Sequence, residues 1–317
     1  MAGRNKDAYS DQKARKLTTL TDNRTVGILW MLLTIICFIT LDTTMKYTLA
    51  FYPLMEANWG RFFFATVFAA LICGRRLPDL LKTAHPGWQA LRSLFLAVTT
   101  GLFNAAIIHV PLPTGTVIMF MTPIMVTLMS GLLLREHVGW RRWIGIGMGF
   151  LGALIVTAGG EWAGTTSLLA IGLLLVAAVT NASYQTVTRT LRADHPLTTL
   201  IYSAALGAFF TSLLLPVSPW VWPDLKGWGL LTLAGLMGCL GHLCLIRAYT
   251  AAPAAVVAPF AYSSLIWATI YGFVIWGDFP ALTTLAGAAL IIGSGLYIFL
   301  RERMLGVKRD DPAPALE

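Results

Sequence analysis

The strongest constraint on this 317-residue chain is a succession of apolar runs, most of them about 20 residues long, divided by short breaks. At 1.5 Å rise per residue, about 20 apolar residues in a helix cross the hydrocarbon layer of a bilayer. Ten such segments can be marked, at about 26–50, 54–73, 89–110, 114–134, 143–159, 166–188, 197–217, 228–249, 253–276 and 282–300. Their length selects helices, because spanning strands would read as alternating segments of about ten residues. Arg135-Glu136-His137 through Arg141-Arg142 divide the fourth from the fifth, and only Thr250 to Pro253 divides the eighth from the ninth. The expected class is an all-α integral membrane protein with ten transmembrane helices. Composition agrees: 12% of residues are charged, about half the ~25% of a soluble domain. That excludes a soluble enzyme, a disordered chain and a disulfide scaffold.

The positions of Lys and Arg set the orientation. With the amino terminus in the cytoplasm, the inner side receives all but three of the 23 Lys and Arg, including Arg75, Arg76, Lys82 and Arg92. Lys46 and Arg61 fall within spans, and Lys226 alone lies outside. Both termini are therefore expected in the cytoplasm, as an even number of spans requires. This asymmetry accounts for the net charge of +8 as attraction to an anionic leaflet, with no nucleic acid as partner. Trp88, Trp140, Trp143, Trp162, Trp220, Trp222, Trp228 and Trp276 sit near segment ends, as an aromatic belt does. Cys37, Cys73, Cys239 and Cys244 all lie in apolar runs, without metal-site spacing, and read as small buried hydrophobes. No metal or cofactor is expected.

The two halves repeat. Asp42, Lys46 and Pro53 are matched at one offset by Gln185, Arg189 and Pro196. Gly101 to Pro113 has the spacing of Gly241 to Pro253, and Glu136 with Gly145 that of Asp278 with Gly287. Five spans per half force the halves into opposite orientations. The charges agree, since Arg135, Arg141 and Arg142 are matched only by Asp278 in the second half. Inverted repeats are a signature of secondary transporters, with the substrate near the repeat interface. The expected organisation is a polar cytoplasmic tail at 1–24, repeats at 25–160 and 161–303, and a second cytoplasmic tail at 304–317.

These features resemble the drug/metabolite transporter superfamily, in its EamA type with two five-helix repeats. The likeness is carried by Pro113-Thr-Gly-Thr through Thr122-Pro123, Leu134-Arg135-Glu136 and the run Gly145, Gly147, Gly149, Gly152. In the second half it is carried by Ala252-Pro253-Ala-Ala-Val through Pro259 and Tyr262, then Trp276-Gly277-Asp278 and Gly287, Gly293 and Gly295. It covers about 26 to 301. The chain departs from the family pattern at Asp278, where Glu is usual, and at Arg135, where Gly would precede Glu136. Asp42, Lys46, Pro53 and Trp59-Gly60-Arg61 also look like the corresponding residues of riboflavin or S-adenosylmethionine carriers.

Ionisable groups within a span are costly and mark function by default. Asp42 falls about 26 Å along a helix starting near Thr25, and Arg61 about 12 Å along one returning from Pro53. Lys46 is one turn beyond Asp42 on the same face, so the two are expected to pair. With Glu56 they would form one cluster in the outer half, either a structural ion-pair network or a site. In the site reading, Arg61 or Lys46 meets an anionic part of the substrate, or Asp42 carries a coupling proton. Further candidates are Asn58, Trp59, Asn104, the Asn181, Tyr184 and Gln185 face of the sixth span, Tyr202, His242, and the aromatic and hydroxyl set Tyr262, Ser263 and Trp267. Pro123 and Pro259 are expected to bend their helices. The glycines at 145, 149, 152, 287 and 293 read as close helix contacts, in a monomer or a homodimer.

The expected function is a secondary-active carrier of a small organic metabolite, working by alternating access in a bacterial inner membrane. GxxxxGK[ST] does not occur, so the chain does not use ATP. A lipid or lipid-linked head-group flippase of the same superfamily is the alternative. An intramembrane enzyme fits less well, since neither GxSxG nor HExxH occurs.

Overall fold

The computed structural model describes residues 4–126, 140–158, 165–191, 194–252 and 254–304. It is helical throughout, with no strand among the described residues. The principal helices are α1 (Arg4–Thr48), α2 (Leu54–Cys73), α3 (Pro86–Ile107), α4 (Leu112–Met119), α5 (Trp140–Ala158), α6 (Thr165–Thr190), α7 (Pro196–Ser212), α8 (Leu225–Ala251), α9 (Ser264–Trp276) and α10 (Leu282–Met304). Among the described residues seven helices are long and apolar enough to cross a membrane; Leu112–Val126, Trp143–Val156 and Leu282–Tyr297 form shorter apolar helices. The dividing loop at Arg135, Glu136 and His137, and Pro253, lie outside the described residues.

Local sequence sets the helix ends. Pro53 precedes α2, and Pro86 and Pro196 open α3 and α7, where a missing N–H costs nothing. The Asp224 side chain caps α8 by accepting from the Gly227 N–H at 2.7 Å. Gly277 closes α9 with φ +75°, and the Asp278 N–H returns to the Gly272 carbonyl at 3.1 Å. No Gly or Pro interrupts the polar segment from Arg4 to Val26. There the helix of the first span continues outward.

Both prolines expected to bend helices sit at breaks. α4 yields to a turn at Phe120–Met121 just before Pro123, and Pro259 lies in a 3₁₀ stretch, Ala258–Ser263, leading into α9. Close glycine contacts form where α5 crosses α10: a side chain on Gly152 would meet the Gly287 carbonyl, and one on Gly287 the Gly152 carbonyl. Gly293 faces open space instead, so its expected packing role is not seen.

Helices of the two halves pack reciprocally. α1 lies along α8 and α3 along α6, while α2 packs on α7, α4 on α9 and α5 on α10. The largest core joins Met31, Ile107, Met121, Ile124, Leu174 and Ile291. The outer faces carry apolar residues such as Leu71, 70% exposed, and Val274, 74% exposed, as a lipid-facing surface does. The chain is thus a multi-pass membrane protein.

A charged cleft between the two halves

α2, α3, α7 and α8 enclose a narrow cleft whose free volume, about 20 Å³, holds little more than one water molecule. Its polar lining is Arg61, Ser203 and His242, set among Phe62, Leu96 and Leu200. α2 and α3 come from the first half and α7 and α8 from the second. Two glycines of α8 let neighbouring helices approach closely. Gly235 takes the Phe64 side chain, and Gly241 takes the ring of Phe38. Phe38 in turn meets His242 edge-on, with centroids 5.0 Å apart.

Arg61 projects from α2 with few fixed partners. Its Nη1 donates to Thr100 Oγ1 at 3.4 Å, and its guanidinium lies 5.0 Å from the centre of the Phe62 ring. Asp42 feels the charge of Arg61 without an ion pair between them. Both are half-buried deep in the bundle.

The expected single cluster of Asp42, Lys46, Glu56 and Arg61 is not what forms. Lys46 turns away from Asp42 and bridges to Asp278 Oδ2 at 3.7 Å, donates to the Val110 carbonyl at 2.9 Å and lies over the Trp276 ring. One helical turn of spacing permitted the Asp42 pair. The Gly277 turn presents Asp278, and a pair there costs less desolvation at the bundle end than at Asp42. Glu56 is buried and accepts the Val221 N–H at 2.9 Å. Both residues therefore tie loops together at one end of the bundle. Tyr52 donating to Asp224 Oδ1 (2.9 Å) and Lys226 donating to Tyr47 (2.7 Å) complete that end. Opposite, Asp194 Oδ2 accepts from Thr83 (2.6 Å) and Gln89 (2.7 Å), and Tyr202 donates to the Leu81 carbonyl (2.8 Å).

The other candidates divide. His242 lines the cleft within the field of Arg61 and Arg92. Asn104 donates to Asn58 at 2.6 Å, a buried pair joining α2 to α3 whose Asn104 Oδ1 has no partner. Trp59 stacks on Phe63 and meets Trp220 edge-on, near the loop that Glu56 holds. Asn181 donates to Thr122 at 3.4 Å. Gln185 is exposed while Asn181 is half-buried, so the two are not covered alike: the neighbouring helices, not one-turn spacing, decide which side of α6 is covered. Tyr262 packs edge-on against Phe120. Trp267 joins the same main core, and Ser263 Oγ is buried without a partner. None of these last three lines the cleft.

Sequence reading misplaced Arg92. Counted with the cytoplasmic loop charges although the third apolar segment, 89–110, already contains it, it lies six residues into α3 and is 5% exposed. Its Nε donates to Thr188 (2.7 Å), one Nη to the Thr199 carbonyl (3.3 Å) and to Ser203, and the other Nη to Tyr184 (2.6 Å), whose ring it also faces at 4.4 Å. Pro86, a proline at a helix start, was the available signal that α3 begins earlier.

A multi-pass protein with charged residues around a cleft between its two halves has the design of a solute carrier. The model of the EamA-like transporter family matches residues 25–158 and again 168–300, and the chain belongs to that family. It is similar to the riboflavin transporter of Vibrio cholerae, at 30% identity over 86% of this chain and 92% of that one. It is also similar to the S-adenosylmethionine uptake transporter of Rickettsia prowazekii, at 24% identity over 87% and 93%. The pseudopaline exporter of Pseudomonas aeruginosa is 26% identical over 84% and 93%. A solved crystal structure shares the fold with a TM-score of 0.61 at 18% identity, covering 89% of this chain and 99% of that one. The chain is a small-metabolite transporter and not an enzyme.

Proposed function

We propose that the protein is a secondary-active carrier in a bacterial inner membrane, with ten spans in two inverted five-helix repeats and both termini in the cytoplasm. The cleft would open to each side in turn. The observation that carries this reading is the cleft itself: Arg61 and His242, membrane-embedded polar groups, meet where α2 and α3 of one half face α7 and α8 of the other. The reciprocal packing of α1 with α8 and α3 with α6 supports a two-fold relation between halves. The loop ties support inversion, because the carboxyl end of α1 joins one end of the bundle and that of α6 joins the other. The breaks near Pro123 and Pro259 fall at matched positions and give each half a point of flexure.

The cargo is a small organic metabolite of the size that the relatives' names indicate, S-adenosylmethionine or riboflavin among the first to test. Asp42, beside Arg61 but free of direct pairing, is the group proposed to carry a coupling proton. The working unit is a monomer or a homodimer. The test is uptake of labelled solutes into vesicles containing the purified protein. We expect saturable uptake of at least one metabolite, reduced tenfold or more by Arg61→Gln. Uptake unchanged by that variant would remove the cleft from the pathway.

A further inference from the structure

We infer that the cleft is an oxyanion-binding site served by two guanidiniums, Arg61 at its wall and Arg92 behind Ser203, so that the cargo bears a carboxylate or phosphate group. This rests on the carrier reading of the same cleft and narrows it. Arg92 carries the argument. It is 5% exposed, yet all four of its hydrogen bonds go to neutral oxygens, those of Thr188, Tyr184, Thr199 and Ser203. Among the described residues no carboxylate lies within 4 Å of Arg92 or of Arg61. A buried cation ordinarily comes with a counter-charge, because removing it from water is expensive. Here the neutral cage fixes the guanidinium in place but leaves its charge uncompensated.

Ser203 links Arg92 to the cleft. It lines the cleft, accepts from Arg92 and donates its own O–H to the Thr199 carbonyl at 2.6 Å. It therefore has no hydrogen left for a ligand, and Arg92 acts on the cleft through its field rather than through a shared bond. Arg61 is the complementary case. It faces the cleft, and its one hydrogen bond, to Thr100, is long at 3.4 Å, so most of its planar donor fork is available. The embedded groups about the cleft thus amount to two fixed cations against one carboxylate, Asp42. In a low-dielectric setting that excess attracts an anion and selects against a cation.

The test is thermal unfolding of the full chain in detergent, titrated with sodium acetate or sodium phosphate against sodium chloride at constant ionic strength. The site predicts a saturable rise in melting temperature with acetate, phosphate or both, beyond that with chloride. Acetate alone assigns a carboxylate, phosphate alone a phosphate group. Arg61→Gln should weaken the response at least tenfold in anion concentration. Arg92→Lys should keep it and Arg92→Gln should weaken it. Should Arg92→Gln fail to fold, the wild-type and Arg61→Gln titrations still decide. No response beyond chloride, or one untouched by Arg61→Gln, overturns the inference. Flavin mononucleotide against riboflavin adds a matched pair, and tighter binding of riboflavin than of its phosphate would also count against the site. An anion response with no vesicle uptake of any solute would instead sink the carrier reading and leave the site standing. Uptake of a neutral metabolite without an anion response would do the reverse.

Discussion

Arg61 and Arg92 differ in how many partners hold them, and that difference separates their expected roles. Arg92→Gln removes a guanidinium from four neutral acceptors and should destabilise the fold by about 1–3 kcal/mol, read as a lowered melting temperature. Arg61→Gln, losing one long hydrogen bond, should leave melting within a degree or two while transport falls. A melting drop as large as that of Arg92→Gln would make Arg61 structural. Asp42→Asn should abolish the response of uptake to a pH gradient. Preserved gradient dependence would release Asp42 from that role. At the rim, the Gly227 N–H and then the Tyr52 hydroxyl hold the Asp224 carboxyl below its usual pKa. A depressed carboxyl stabilises the fold above its unfolded pKa, about 3.9, and loses that contribution as pH falls through the folded value. The charge-linked part of the melting difference between wild type and Asp224→Ala should therefore hold from neutral pH down to about pH 4 and shrink as pH falls further.

The helices themselves were largely legible, because apolar length and proline placement are local properties. α2 begins directly after Pro53 and α7 at Pro196, the prolines that the repeat matches. What failed were inferences requiring a distant partner. Lys46 and Asp42 are one turn apart, and nothing local announces that Gly277 will present Asp278 to Lys46. Arg92 looked like a loop charge until α6 and α7 supplied its acceptors. Gln185 shared a nominal face with Asn181, but only the packing of α3 against α6 decides which face is covered. At this scale the ties at the two ends of the bundle matter most. Asp194 holds Thr83 and Gln89 at the end where α3 begins. Asp194→Ala should loosen that end and speed deuterium exchange in residues 80–89 and 194–200, with the α8 interior unchanged. Uniform exchange across the chain would mean general destabilisation instead. Where α5 crosses α10, Gly287→Val should cost about 1–3 kcal/mol by overpacking, measured as lowered melting.

Across the whole molecule, the two family repeats meet over a narrow, largely apolar cleft that carries Arg61, Ser203 and His242, and apolar surface surrounds them. The repeat was visible as matched spacings such as Asp42 to Pro53 and Gln185 to Pro196. The cleft was not, since its walls come from four helices distant in sequence. The structure holds both sets of ties at once, Lys46 with Asp278 at one end and Asp194 with Thr83 and Gln89 at the other, so in the proposed cycle one set must release for the cleft to open on its side. The most direct measurement is thiol labelling of Ser203→Cys in sealed vesicles of known orientation, using an impermeant reagent applied to one side or the other. The account predicts labelling from both sides, slowed on each by a transported solute. Labelling from one side only under all conditions, or from neither, would contradict a chamber that opens alternately.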